Sequence, residues 1–322
     1  MKNFLTITGK FGVLFVCILF LAATVSAQLA LREALDTDND GKADYTVFRP
    51  SSNIWYTLKS TGGFTAQQFG VSNTDYPTPG DFDGDNKGDV AVWRDTDGYW
   101  YRLNSSNNTF SAAQFGTTGD EPIARDFDGD GKTDIAVVRR SNGQMFWYSI
   151  DSATGAFRGS QFGLSTDFTA PGDYDGDGKF DLAVQRPGAT PTSQGIFYII
   201  NSQNGSLRAA PYGFSSDLVV PGDYDGDGKT DLAVVREGST PTSNLFWFIN
   251  LSSTNQVAVH SFGITGTDLN AQADYDGDGK TDIAVWRDTN GYFYSLRSSD
   301  GGFVGVQWGT ANDFPVASYD TH

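Results

Sequence analysis

Residues 223–236 read DYDGDGKTDLAVVR. Aspartates stand at positions 1, 3, 5 and 9 of this stretch, glycines at 4 and 6, and an apolar run follows that ends in Arg236. A nine-residue turn of this kind can point four carboxylates inward, with the backbone carbonyl of position 7 as a further oxygen. Hard oxygen ligands in that number suit Ca2+, which takes about 6–8 at flexible angles, better than Mg2+, which keeps its waters. Zn2+ would want His or Cys, and beyond residue 27 the chain offers only His260 and His322 and no Cys. A helix-loop-helix calcium site needs a bidentate Glu at position 12 and flanking helices. Position 12 is Val234 here, and the flanks read as strands.

The stretch is one of six. Copies start at Asp36, Asp81, Asp126, Asp173, Asp223 and Asp274, with spacings of 45, 45, 47, 50 and 51 residues. Position 12 is Val in every copy (Val47, Val92, Val137, Val184, Val234, Val285). The expected metal ligands are therefore Asp36, Asp38, Asp40, Lys42 and Asp44 in the first loop, and Asp81, Asp83, Asp85, Lys87 and Asp89 in the second. Asp126, Asp128, Asp130, Lys132 and Asp134 follow, then Asp173, Asp175, Asp177, Lys179 and Asp181. The last two sets are Asp223, Asp225, Asp227, Lys229 and Asp231, and Asp274, Asp276, Asp278, Lys280 and Asp282. Each Lys would give its carbonyl and point its side chain to solvent. Asn39 and Asn86 replace glycines, and Asn tolerates the left-handed conformation such turns need.

Around each loop the rest of the unit repeats. A β-branched run ending in Arg is followed by an aromatic run such as LFWFI, a polar turn such as NSQNG, and an aromatic-Gly pair such as Phe262-Gly263. Four short strands per unit without helical periodicity, six times over, predict an all-β chain: a β-propeller of six four-stranded blades, with a seven-bladed ring or an open array as alternatives. The strands read as apolar on both faces. After Gly309 the chain supplies only the leading strand of a further copy (residues 310–322). That strand either closes the ring in the first blade or adds to another molecule's open edge.

Composition narrows the function. Net charge is −17, and of 39 acidic residues only Glu33, Glu121 and Glu237 are Glu, so the short carboxylate is wanted for geometry. Such acidity argues against nucleic acid, which needs clustered Lys and Arg. Lys2 and Lys10, the apolar run 11–25 and Ser26-Ala27 have the layout of a secretory signal over residues 1–27, leaving a propeller over 28–322 with no membrane span and an extracellular or cell-surface location. Cys17 lies inside that signal.

These residues resemble the FG-GAP/VCBS repeat family, on the D-x-D-x-D-G-x-x-D loop and the Phe-Gly near each unit's end, from Asp36 to Asp320. The resemblance implies that the loop joins the first and second strands of a blade and binds calcium, and that the ring serves adhesion or ligand binding. A protein or glycan at the cell surface is then the expected partner, with calcium structural. Arg49, Arg94, Arg139, Arg186, Arg236 and Arg287 are expected on the opposite rim, either stacked on blade aromatics and paired with local carboxylates, or forming a lectin-like sugar or anion site. Arg186 and Arg236 open the longer loops PGATPTSQG and EGSTPTSNL, which makes Arg186, Thr190, Arg236 and Thr240 candidate ligand-binding residues. Asn104, Asn107, Asn204 and Asn250 are glycosylation sequons. A fibre subunit joined through the C-terminal strand is an alternative. A propeller-fold glycosidase is disfavoured because the loops commit 24 aspartates, Glu is scarce and no nucleophile set is present, so no enzymatic activity is expected.

Overall fold

The computed structural model describes residues 34–320, so the expected signal lies outside the described residues. The chain forms six four-stranded antiparallel sheets, one per repeat, arranged as a β-propeller. In the second blade the strands Asp75–Pro77, Val90–Arg94, Tyr99–Leu103 and Phe110–Gln114 lie side by side in chain order, and the metal-type loop joins the first to the second. The second strand is the buried one: Ala91, Val92 and Trp93 are all but inaccessible.

The expectation of strands apolar on both faces holds for the second strand and fails for the fourth. Phe64–Gln68, Phe110–Gln114 and Phe303–Gln307 are mostly exposed, because they form the outer edge and have no neighbour beyond them. Each fourth strand nevertheless starts with a large apolar residue that faces solvent: Phe64, Phe110, Phe157, Leu207, Val257 and Phe303.

Blade-to-blade packing explains the invariant Val at position 12. The glycine closing each repeat has a positive φ, and its absent side chain leaves room for that Val of the next blade. A Cβ on Gly70 would meet Val92 at 3.2 Å, and one on Gly213 would meet Val234 at 3.0 Å. The preceding aromatic gives its carbonyl to a core indole: Trp100 donates to Phe115 at 2.9 Å and Trp247 to Phe262 at 2.9 Å. The Phe-Gly pair is thus a joint between blades.

The same joint closes the ring. A Cβ on Gly309 would meet Val47 of the first blade at 3.3 Å. The strand Phe314–Pro315 pairs antiparallel with Tyr45–Arg49, completing the first blade with the last strand of the chain. Of the two expected uses of this strand, closure is the one observed.

Candidate metal loops and the opposite rim

Each loop is folded by its own first aspartate. The Asp223 carboxylate accepts the backbone N–H of Gly226 at 2.6 Å and of Gly228 at 2.9 Å, and the other five loops repeat this pattern at positions 4 and 6. Positions 4 and 6 adopt positive φ in every copy, including Asn39 and Asn86, as expected of Gly and Asn.

The ninth aspartate ties the loop to the next turn of its own blade. Asp231 accepts the N–H of Tyr224 at 2.9 Å and of Ser252 at 2.7 Å. The same serine donates its hydroxyl to Asp227 at 2.8 Å, and Ser253 donates to Asp225 at 2.6 Å. Ser105, Ser152, Ser202 and Ser298 repeat the bond to the fifth aspartate. Sequence reasoning missed these serines. Their signal was a Ser recurring as the second residue after the aromatic strand, in what reads as an ordinary polar turn.

Among the described residues, six groups of acidic side chains bring carboxylate oxygens within 4.8 Å of one another. In the first two loops the converging residues are positions 1, 3 and 5: Asp36, Asp38, Asp40, and Asp81, Asp83, Asp85. In the next three they are positions 1, 3 and 9: Asp126, Asp128, Asp134; Asp173, Asp175, Asp181; and Asp223, Asp225, Asp231. Four aspartates were expected to converge, but one in each of these sets is drawn aside by its bonds to serine and backbone. One oxygen each of Asp38, Asp83 and Asp175 is buried with no hydrogen-bond partner. A buried, unpaired carboxylate oxygen is costly, and a bound cation would satisfy it. The donor set therefore fits a hard divalent ion.

Electrostatics agree. Burial pushes the carboxyls of Asp134 and Asp231 up to about 7, and those of Asp126 and Asp223 to about 6, with neighbouring carboxylates adding and backbone hydrogen bonds opposing. Asp89, Asp181 and Asp282 are raised to about 6 for the same first reason.

The lysines make a contact that was not expected. On the way to solvent, each of five stems lies across the position-4 glycine of the preceding loop: Lys132 on Gly84, Lys179 on Gly129, Lys229 on Gly176, Lys280 on Gly226 and Lys42 on Gly277. A Cβ on Gly84 would sit 2.6 Å from Lys132 Cε. Beside each lysine, the position-8 N–H donates to the position-1 carbonyl of the preceding loop. Gly88 donates to Asp36, Thr133 to Asp81, Phe180 to Asp126, Thr230 to Asp173, Thr281 to Asp223, and Ala43 to Asp274, all at 2.7–2.9 Å. The six loops are one closed ring of backbone bonds.

On the opposite rim stands a second ring. Arg236 pairs through Nε and Nη2 with both oxygens of Asp217, at 2.8 Å each, and lies over Phe248 at 4.4 Å. Arg94 does so with Asp75 and Tyr101, Arg139 with Asp120 and Tyr148, Arg186 with Asp167 and Tyr198, and Arg287 with Asp268 and Tyr294. Arg49 takes its carboxylate from the C-terminal segment, Asp313, and stacks on Tyr56. These aspartates were also missed, although a constant separation of 19 residues from the arginine marks five of them. Arg186 and Arg236 are thus engaged within their own blades. Thr190 and Thr240 bond to Ser193 and Ser243 at 2.7 and 2.8 Å, which orders the long loops from inside.

The FG-GAP-like repeat family matches residues 36–92, 126–184 and 173–234, more than half of the chain. The chain belongs to that family. No curated protein matches this FG-GAP repeat propeller in sequence. Among solved structures it is similar to AofleA from Arthrobotrys oligospora, at 9% identity and TM-score 0.50, covering 90% of each chain. Virginiamycin B lyase from Staphylococcus aureus matches at 11% identity and TM-score 0.47, over 88% of this chain and 87% of that one. The Synechocystis apocarotenoid oxygenase matches at 11% and TM-score 0.40, over 88% and 84%. Such likeness shows the fold alone. One expectation is corrected here: the reading that the chain is no enzyme does not stand, because a propeller fold does not separate binding from catalysis. No helix among the described residues is long and apolar enough to cross a membrane.

Proposed function

We propose that this FG-GAP repeat propeller is an exported binding module for a glycan or protein at a cell surface, held in shape by structural Ca2+ in its six loops. The observation that carries the metal half is the set of buried, partnerless oxygens on Asp38, Asp83 and Asp175, inside loops where carboxylates converge. All-oxygen donors and a flexible backbone turn favour Ca2+ over Mg2+ or Zn2+. Aspartates 1, 3, 5 and 9 hold the ion or the loop around it, with the position-7 carbonyl as the further donor.

The binding half is supported by the outer surface. In each blade a large apolar residue at the start of the outer strand is left in water, next to ladders of stacked aromatics such as Tyr99, Tyr101 and Phe110. Between blades 2 and 3, Phe115, Arg139, Tyr148 and Phe157 line an open cleft. The basic and apolar layout of residues 2–27 supports export.

A glycan array probed with the purified mature chain tests both halves, once in millimolar calcium and once after chelation. Binding to defined glycans in calcium, lost together with the folded state on chelation, is the expected result. A melting temperature indifferent to the chelator sinks the metal half.

A further inference from the structure

The junction between blades 3 and 4 differs from the two that follow it. At the 4/5 junction Tyr174, Ile199 and Leu232 pack as one buried cluster, and at 5/6 Ile249 and Ile283 do the same. The residue in register with Ile199 and Ile249 in blade 3 is Ser149, which pairs with Ala136 as they pair with Ala183 and Ala233. The loop aromatic is Phe127 where blades 4 and 5 have Tyr174 and Tyr224, whose hydroxyls bond back to Ala170 and Val220. Where isoleucine packs in blades 4 and 5, Ser149 lines a cleft of about 280 Å3.

The walls of this cleft are sorted by chemistry. Phe127, Phe180, Trp147 and Leu182 make an apolar floor, with Phe127 and Phe180 edge to face at 6.3 Å. Ser160, Asn201 and Lys179 offer hydroxyl, amide and ammonium groups. The Asn201 carbonyl oxygen is buried and has no hydrogen-bond partner, so it can take a donor from a ligand. Arg158 also lines the cleft, but Asp151 already holds it at 2.6 and 2.7 Å. A net charge of −17 disfavours anions over the whole surface.

We infer that this cleft is a binding site for one neutral sugar ring, its apolar face on the aromatic floor and its hydroxyls on Asn201, Ser160 and Lys179. The volume lies at the small end of ligand sites, about right for a single ring rather than a chain. This rests on the glycan reading above and assigns it a place.

The test is a titration of the full chain, in calcium, with free glucose, galactose, mannose, fucose and N-acetylglucosamine, followed by saturation-transfer NMR and calorimetry. One saturable site per chain is expected for at least one sugar. Ser149→Ile supplies the side chain that blades 4 and 5 carry, so it should keep the melting temperature or raise it while weakening that sugar at least about tenfold. Asn201→Ala should weaken it severalfold. Saturation by none of the five, or a Ser149→Ile chain that binds as the parent does, overturns the site. If Ser149→Ile still binds the same glycans on the array, the cleft falls and the binding module stands. An array empty for both chains removes the glycan reading as well.

Discussion

The two faces of this propeller solve one problem in two ways. Both bury a ring of six aspartates close to the blade junctions. On the far rim each carboxylate meets a guanidinium from the chain itself, as Asp217 meets Arg236. On the loop face the carboxylates of Asp223, Asp225 and Asp231 converge on one another among backbone and serine donors, and burial drives Asp223 and Asp231 upward in pKa. A buried charge must be paired or neutralised. The protein builds its own cation on one side and on the other gathers carboxylates that could hold a foreign one.

The comparison breaks first if cation removal does nothing. Six sites held at ten times a dissociation constant of about 10⁻³ M or less would together supply roughly 8 kcal/mol, comparable to the stability of a whole domain at about 5–15 kcal/mol. Calorimetric melting in calcium against chelator should show the largest shift of any experiment here, and a salt control separates specific ions from screening. Deleting residues 310–322 comes next, because it removes both the closing strand and the partner of Arg49. A less stable monomer, by about 3–5 kcal/mol in denaturant unfolding, is expected from leaving half of a buried pair.

Arg236→Met sharpens the far side alone. It strands the inaccessible Asp217, but Arg236 keeps 29% of its surface in water, so the loss should be about 2–3 kcal/mol, with calcium binding unchanged by calorimetry. On the loop side the contrast appears in pH. The folded-state pKa values of Asp126, Asp134, Asp223 and Asp231 lie above the ordinary 3.8, so the native state holds more protons than the unfolded chain between about pH 4 and 7. Metal-free protein should therefore be most stable near pH 4 and lose stability as pH rises to about 7. Calcium should reverse that slope, and urea midpoints at four pH values, with and without the ion, would reveal a missing reversal.

The smallest effect concerns the seam between loops. A Cβ on Gly172 would meet Thr230 of the next loop at 2.6 Å, so Gly172→Ala must push two metal loops apart. Overpacking of this size costs about 1–3 kcal/mol. Calcium affinity should fall in the same variant if the ring of inter-loop bonds organises the sites, whereas an unchanged isotherm would show each loop to be independent.

Much of this was legible in the chain because repetition turns one local pattern into six observations. The nine-residue loop, its strands and the rejection of a helix-loop-helix site needed only spacing, glycine positions and Val at position 12. What escaped is what acts between elements. Lys132 reads as a solvated residue until the neighbouring blade puts Gly84 beneath it. Ser252 reads as turn filler until its hydroxyl and amide are seen on Asp227 and Asp231. The pairing of Arg236 with Asp217 was open as one of two fates and was decided by a hairpin geometry that sets them side by side.

By itself, then, the sequence determined the unit: a loop rich in Asp and Gly has few ways to fold, and period, β-branching and aromatic runs leave four short strands per copy. Tertiary structure decided how the units share their charges. Which carboxylates meet a guanidinium, which converge on an open position, which lysine lies over which loop and which junction keeps a cleft all depend on the neighbour. That neighbour is assigned only when the last strand, Phe314–Pro315, closes on the first blade and makes the array a ring.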